Sequence, residues 1–231
     1  MFHYRWHYKP DIERAAAILP RWRGISSPEE DMLKMGKIFA ERQISRLYVV
    51  GSNDTTAPVI EASYLRYLEA MKKVLEVQPF LMGNRPGGSD FGAYGQLTQL
   101  THFDPTPMEE TFRHAPRVFA WVDLVEDLSG LEPTEDDWMK RGTIPESIRN
   151  LLAEVGRVYV PALLANANAL MVGAEKVETE IDGKPWVQQP FPYQGKCLQW
   201  LTDKRAALTA ADRKAVDDVL DGTGCEKLFA A

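Results

Sequence analysis

The sequence is poor in cysteine and has no basic run, and each shortage excludes a class of protein. Cys197 and Cys225 are the two cysteines among 231 residues. They are too few for the disulfide framework of a small secreted domain and are typical of a reducing compartment. The 27 basic residues are outnumbered by 33 acidic ones, which gives a net charge of −6. This balance argues against nucleic acid as a partner.

Long apolar runs are also missing. The longest, such as residues 162–172, are shorter and more interrupted than the ~20 apolar residues that cross a bilayer. The first six residues, MFHYRW, have neither the basic leader nor the apolar stretch of a signal peptide. We therefore expect a cytoplasmic protein with no membrane partner. Because no linker or composition change divides the chain, we also expect a single domain over residues 1–231.

The motifs of common catalytic and metal sites are absent. Gly87-Gly88 lacks the spacing of a phosphate-binding loop, and there is no nucleophile elbow and no HExxH motif. His3 and His7 have the i,i+4 spacing of a two-histidine metal site on a helix. No glutamate adjoins them, and the other two histidines are distant in the sequence. We expect no metal site, and the catalytic residues stay unassigned.

The two cysteines give no clear nucleophile. Cys197 follows Lys196, but consecutive residues of a helix do not face each other, so the lysine should not activate the thiol. A buried structural role is the favoured interpretation of Cys197. Cys225 follows Gly222-Thr223-Gly224 and is expected to be more exposed. No base stands near it in the sequence, so a thiol nucleophile is not predicted.

What the chain does contain is helical periodicity. The clearest helix follows Thr56, where apolar residues recur with a period of about 3.6. The predicted helices cover residues 1–8, 11–19, 28–51, 57–75, 88–97, 116–128, 146–176 with a bend at Pro161, 193–208 and 210–222. The predicted N-caps are Ser27, Thr134, Thr143 and Thr209; residues 104–107 are predicted as a loop, and Gly92 and Gly95 as points of close helix approach. The exception to the helical pattern is a β-hairpin near 177–188, with its turn at Asp182-Gly183. The predicted fold class is all-α, a mainly helical bundle with one small hairpin.

The most informative segment is residues 80–91, with the sequence FLMGNRPGGSDF. Gly83 permits a tight turn, and Pro86 stiffens the link that follows. Asp90 stands three residues after Gly87, where its carboxylate can accept hydrogen bonds from the free N–H groups at a helix start. The segment therefore predicts a structural N-cap formed by Gly87 and Asp90.

This segment resembles a signature of the all-helical C-terminal half of glutathione S-transferases. The resemblance covers about residues 60–128 and has three parts in order: an amphipathic helix ending at residues 80–83, the helix start at residues 85–91, and the APRV…W pattern of residues 115–121. It implies a family-like core over about 56–128 and a C-terminal extension over about 129–231. Two further segments, residues 127–132 and 193–197, resemble bacterial proteins that carry this domain.

The resemblance also implies roles for particular residues. In the family, an aspartate at the position of Asp90 belongs to a buried capping box that matters for folding, although Gly87 replaces the usual serine or threonine. The first helix of this half lines the pocket for the hydrophobic substrate, which makes Tyr4, Trp6 and Tyr8 pocket candidates. Packing of these aromatic side chains in the core is an equally good interpretation.

The resemblance is incomplete, because family members carry an N-terminal thioredoxin-like domain that binds glutathione and activates its thiol. Nothing before Ile60 has the parallel-strand pattern of that domain. Any enzyme activity would be the transfer of the glutathione thiol to an electrophile. The thioredoxin-like domain would then be supplied by another chain, or would have been removed from this one. We expect this chain to bind a small hydrophobic molecule, to hold no cofactor itself and to be inactive alone. A homodimer is the other expected partnership, and a non-enzymatic helical interaction or small-molecule-binding module is the alternative function.

Overall fold

The helices and the single hairpin of the sequence prediction are present in the structure, a computed structural model that describes residues 1–230. The α-helices are α1 Phe2–His7, α2 Lys9–Ile18, α3 Glu29–Ile44, α4 Ala57–Leu75, α5 Gly88–His102, α6 Pro105–His114, α7 Pro116–Glu126, α8 Glu146–Glu154, α9 Val160–Val172, α10 Pro192–Ala206 and α11 Ala210–Leu220. Short 3₁₀ helices cover Leu47–Val50, Glu135–Asp137 and Cys225–Phe229, and a π-turn at Val155–Tyr159 joins α8 to α9. Strands β1 Val177–Ile181 and β2 Lys184–Gln188 pair antiparallel. The fold class is confirmed.

Helix α4 is central, and its apolar period explains why. Leu68 and Met71 are fully buried in the main core cluster, together with side chains of α5 and α7, because residues three and four apart share one side of a helix. A second cluster packs α1 against α2 and α3. In a third cluster, Ile181 and Trp186 of the hairpin pack against Val59 near the start of α4.

The junction before α5 has the geometry of a capping box. Gly83 has φ +125° and its backbone pairs with Phe80. One oxygen of the Asp90 carboxylate accepts a hydrogen bond from the Gly87 N–H at 2.9 Å, and the other accepts from the Leu81 N–H at 2.6 Å. Burial raises the pKa of Asp90, and these N–H donors oppose the rise. Asp90 therefore joins the turn to the helix that follows it.

Two predicted N-caps are confirmed and two are wrong. Thr134 forms a capping box with Asp137, and Thr209 accepts from the N–H of Asp212. Pro28 occupies the N-cap position of α3 in place of Ser27, and Pro145 occupies that of α8 in place of Thr143. Pro28 and Pro145 have ψ angles of 140° and 147°, outside the helical region, so each helix begins at the residue after its proline.

The predicted loop at 104–107 is wrong, because α6 begins there with Asp104 at its N-cap position. Pro105 and Pro107 lie in the first turn of the helix, where no intrahelical N–H bond is required of them. Their position at the start of the helix makes them compatible with it.

The prediction of close helix contacts at Gly92 and Gly95 is also wrong. Both glycines are exposed, and a Cβ added at either would have no neighbour within 4 Å. The close approaches occur at Gly36, where an added Cβ would lie 2.3 Å from the Ala16 carbonyl oxygen, and at Gly156. Helix α2 therefore packs against the backbone of α3 at Gly36.

The longest helical segment runs from Glu146 to Val172, four residues short of the predicted end at Lys176, and Gly173 is its C-cap residue. The π-turn comes just before Pro161, whose missing N–H and ring disturb the regular ladder in that place. This helix has 27 residues, and its 18-residue window reaches a mean hydropathy of 1.2, so it is long and apolar enough to cross a membrane by length and composition. One such helix is weak evidence, so the absence of a membrane partner stays a prediction. Core helices of soluble proteins pass the same test.

Candidate functional site

The candidate site is an apolar cavity of about 300 Å³ between α1, α4 and the helix that contains the π-turn. Four tyrosines and several aliphatic side chains supply most of its wall: Met1, Tyr4, Ile60, Ser63, Tyr64, Tyr67, Leu151, Glu154, Val155, Val158 and Tyr159. Two larger pockets, which are no more open to solvent, lie beside α11 and between α9 and α10, with volumes of about 410 and 510 Å³. The cavity at α1 differs from them in having several hydroxyl groups inside an apolar wall, which is typical of small-molecule sites.

Tyr4 is the pocket candidate that lies in this cavity. Its side chain is 4% exposed, and its ring packs edge-on against Tyr64 with 5.4 Å between the centroids. The Tyr64 hydroxyl hydrogen-bonds Thr111, whereas no hydrogen bond joins the Tyr4 hydroxyl to another described residue. Burial raises the pKa of Tyr4 and raises that of Tyr67 to about 12. Both phenols are therefore protonated at neutral pH, and the Tyr4 hydroxyl is free to donate to a ligand.

Glu154 brings the one carboxylate to the wall, but Arg66 already binds it. The guanidinium of Arg66 donates from Nε and Nη2 to the two carboxylate oxygens at 2.8 and 2.9 Å. Nη1 of Arg66 also lies 3.1 Å from a carboxylate oxygen of Asp182 in the hairpin turn. Nη1 of Arg157 lies 3.7 Å from the other oxygen of Asp182. The two guanidinium groups neutralise the two carboxylates, so this wall of the cavity has no unpaired charge. The arrangement favours a neutral ligand.

The other two pocket candidates lie elsewhere. Trp6 is buried in the second core cluster, where its ring meets Phe39 edge-on at 5.8 Å. Tyr8 stacks on Tyr4 at 5.8 Å and donates its hydroxyl to Glu61. The structure therefore brings Tyr4 to the cavity and leaves Trp6 and Tyr8 outside its lining. On a helix, residues two apart point in different directions, which explains the separation of Tyr4 from Trp6.

Sequence reasoning missed most of the wall. Tyr64 and Tyr67 were recognised only as apolar positions of α4, because periodicity does not separate a core position from a cavity position. Tyr159 and Val155 reach the cavity from the π-turn. Pro161 was the available signal, since a π-turn inside an α-helix is frequent at functional sites.

A serine, a histidine and a glutamate line up beside the cavity without forming a catalytic triad. Nδ1 of His3 is 2.8 Å from the Ser52 hydroxyl, and its Nε2 is 3.5 Å from a Glu61 oxygen. Ser52 is 3% exposed, so its hydroxyl is closed to a substrate. The His7 ring stacks on His3 at 4.8 Å. Within residues 1–230, no group of three or more histidine, cysteine or acidic side chains is placed to hold a metal ion.

His3 should make the stability of the protein depend on pH. Burial, with the neighbouring His7, lowers its pKa from the usual 6.5 to about 4, against the opposing effect of Glu61. Between these values the unfolded chain binds a proton that the folded protein does not, so stability falls as the pH drops from 6.5 to 4. We expect the wild type to lose about 3 kcal/mol more than His3→Gln between pH 7 and pH 4. Urea unfolding at several pH values measures this, and parallel profiles for the two proteins would contradict it.

The cysteines are placed differently from the prediction. Cys225 is 3% exposed and not open to solvent, and Cys197 is half-buried on α10. Burial raises the pKa of the Cys225 thiol. We expected Cys225 to be exposed because it follows the glycine-rich segment Gly222-Thr223-Gly224. Gly224 instead packs closely against Gly156 in the helix that contains the π-turn.

Comparisons with models of protein families, with curated proteins and with solved structures gave no match to this chain. Membership of the glutathione S-transferase family therefore stays a prediction based on residues 80–91 and 115–121. The site must be interpreted from its own geometry.

Proposed function

We propose that this chain is the helical, hydrophobic-substrate-binding half of a glutathione S-transferase-like protein. The observation that carries the proposal is the position of Tyr4. Helix α1, which the resemblance assigns to the substrate pocket, contributes this tyrosine to an apolar cavity of about 300 Å³. The wall supplies apolar surface and a free phenolic donor, and its one carboxylate is neutralised by Arg66. These features suit a small neutral molecule with an aromatic or aliphatic body and one hydrogen-bond acceptor.

In this proposal the chemistry belongs to a partner. A thioredoxin-like domain would bind glutathione and ionise its thiol, and this half would hold the electrophile. Val155 and Tyr159 line the cavity and remain partly exposed at its edge, which supports docking of such a domain beside the cavity. The chain holds no cofactor of its own in this scheme. We place the protein in the cytoplasm, consistent with two free cysteines.

The test is binding of a neutral fluorescent aromatic amine, N-phenyl-1-naphthylamine, to the purified chain. We expect saturable binding that Ser63→Phe weakens by at least about tenfold, because the added ring would occupy the cavity. Leu65→Phe is the matched control on α4, since Leu65 lies outside the cavity lining, and it should change the affinity by less than about twofold.

The same preparation tests the catalytic part of the proposal. We expect no retention on a glutathione matrix and no transfer of glutathione to an aryl halide. Robust turnover by the chain alone would overturn its assignment as the inactive half. Equal affinity for the probe in Ser63→Phe and in the wild type would overturn the assignment of the cavity.

A second candidate function is a non-enzymatic interaction module. Apolar side chains are concentrated at the surface of residues 18–50, where Trp22, Ile25 and Ile38 are 64, 86 and 67% exposed. Exposed apolar surface of this kind marks protein contacts. If the chain forms a homodimer through this surface, sedimentation should show a concentration-dependent dimer that Ile25→Asp dissociates. A monomer at all concentrations would exclude this homodimer.

A further inference from the structure

The segment around Cys225 packs against the helix that contains the π-turn. It lies on the face opposite to the one that lines the cavity. The Cys225 thiol donates to the Leu152 carbonyl oxygen across 3.3 Å. A Cβ added at Gly156 would lie 2.0 Å from the Thr223 carbonyl oxygen and 2.9 Å from the Gly224 Cα. The two backbones therefore touch directly, and only a residue without a side chain fits in the π-turn at this point.

The segment around Cys225 contacts the helix at two points one turn apart. Leu152 and Gly156 are four residues apart, the spacing of one α-helical hydrogen bond. The Cys225 thiol donates to the carbonyl of Leu152, and the neighbouring Thr223 and Gly224 meet the backbone of Gly156. Burial raises the pKa of the thiol, against the opposing effects of Thr223 and of the Gly156 backbone. Cys225 thus supports the helix at Leu152, just before it changes from α to π geometry.

The opposite face of the same turn is the wall of the cavity. Val155, Val158 and Tyr159 line the cavity, whereas Gly156 faces the segment around Cys225. A π-turn is rare and occurs mostly as a single turn inside an α-helix, frequently at a functional site. A shift of the turn toward Cys225 or away from it would carry the cavity-lining side chains with it.

We propose that Cys225 is a positioning residue. It holds the π-turn on the face opposite to the cavity and thereby sets the shape of the cavity. Local opening of residues 222–229 and binding in the cavity are then coupled, and each opposes the other by the same factor. The coupling to a ligand rests on the proposed function, whereas the support of the π-turn does not.

Hydrogen exchange tests the support of the π-turn without any ligand. We expect Cys225→Ala to speed amide exchange at residues 151–160 by about tenfold, because one hydrogen bond and its packing are lost. Cys225→Ser keeps a small donor at this position and should have a smaller effect. Helix α3, which packs against α1 and α2, should exchange as in the wild type. Unchanged exchange at residues 151–160, or an equal increase throughout the protein, would overturn the proposal.

Thiol labelling tests the coupling. In a Cys197→Ser background, an aromatic disulfide reagent reports the opening of the segment around Cys225 alone. Saturating N-phenyl-1-naphthylamine should slow the labelling at least about fivefold, and Ser63→Phe should abolish the slowing. If the probe binds and the labelling rate is unchanged, the coupling is wrong while the proposed function stands. If the probe does not bind, the proposed function fails, and the hydrogen exchange result alone decides whether Cys225 supports the π-turn.

Discussion

Asp104→Ala should lower the free energy of unfolding by about 3–5 kcal/mol, because it leaves the charge of Arg5 buried without its partner. Asp104 is fully buried, and Arg5 is 7% exposed. The guanidinium donates from Nε and Nη2 to the two carboxylate oxygens at 2.8 and 2.9 Å, and its remaining contacts are Gln99 and the face of Phe103. None of these neutral groups can replace the lost carboxylate.

The matched control lies on the same helix. Glu109 pairs with Arg113 on the outer face of α6, with both side chains more than 60% exposed, so Glu109→Ala should cost about 0.5 kcal/mol or less. Urea denaturation measures both variants. Replacing both members of the buried pair, as in Arg5→Met with Asp104→Leu, should recover much of the loss, since no uncompensated charge remains. Equal costs for Asp104→Ala and Glu109→Ala would contradict the role given to the buried pair.

Asp90→Ala should be the other strongly destabilising change, at about 2–4 kcal/mol. It removes the acceptor of two backbone N–H groups, those of Leu81 and Gly87, in a place without water access to the carboxylate. Each buried donor left without a partner has a cost of its own. Asp90→Asn keeps one acceptor oxygen and should fall between the alanine variant and the wild type. Denaturant unfolding and the yield of refolding measure the series.

Asp137 is the control for this series, because it forms the same kind of capping box with Thr134 at the surface. Water can replace its carboxylate there, so Asp137→Ala should have a much smaller effect than Asp90→Ala. A comparable loss for the two variants would show that burial is not what makes Asp90 important. It would also remove the physical reason to treat residues 80–91 as a folding signature.

The sequence predicted those features that depend on local spacing. The period of α4 placed Leu68 and Met71 inside, Asp182-Gly183 marked the hairpin turn, and the distance from Gly87 to Asp90 marked the capping box. Each of these depends on residues close together in the chain, where helix and turn geometry fixes which groups can meet.

The features that depend on tertiary pairing were not predictable in this way. Arg5 and Asp104 are 99 residues apart, and nothing in either neighbourhood indicates the other. The wall of the cavity combines Tyr4 with Tyr159 through the assembly of three helical segments, and the burial of Cys225 depends on a glycine at position 156. Such contacts follow from the way helices pack, which periodicity alone does not determine.

The hairpin has a consequence for the order of folding. A two-stranded hairpin is at best marginally stable in water, and the buried side chains Ile181 and Trp186 gain their apolar contacts from Val59 at the start of α4. Arg66 of α4 also binds Asp182 in the turn. The strands therefore have no core until the helices have assembled, and the burial of the Trp186 indole is a marker of a late step. Because Val158 and Ala162 also pack on this cluster, the hairpin should open whenever the start of α4 separates from the helix that contains the π-turn.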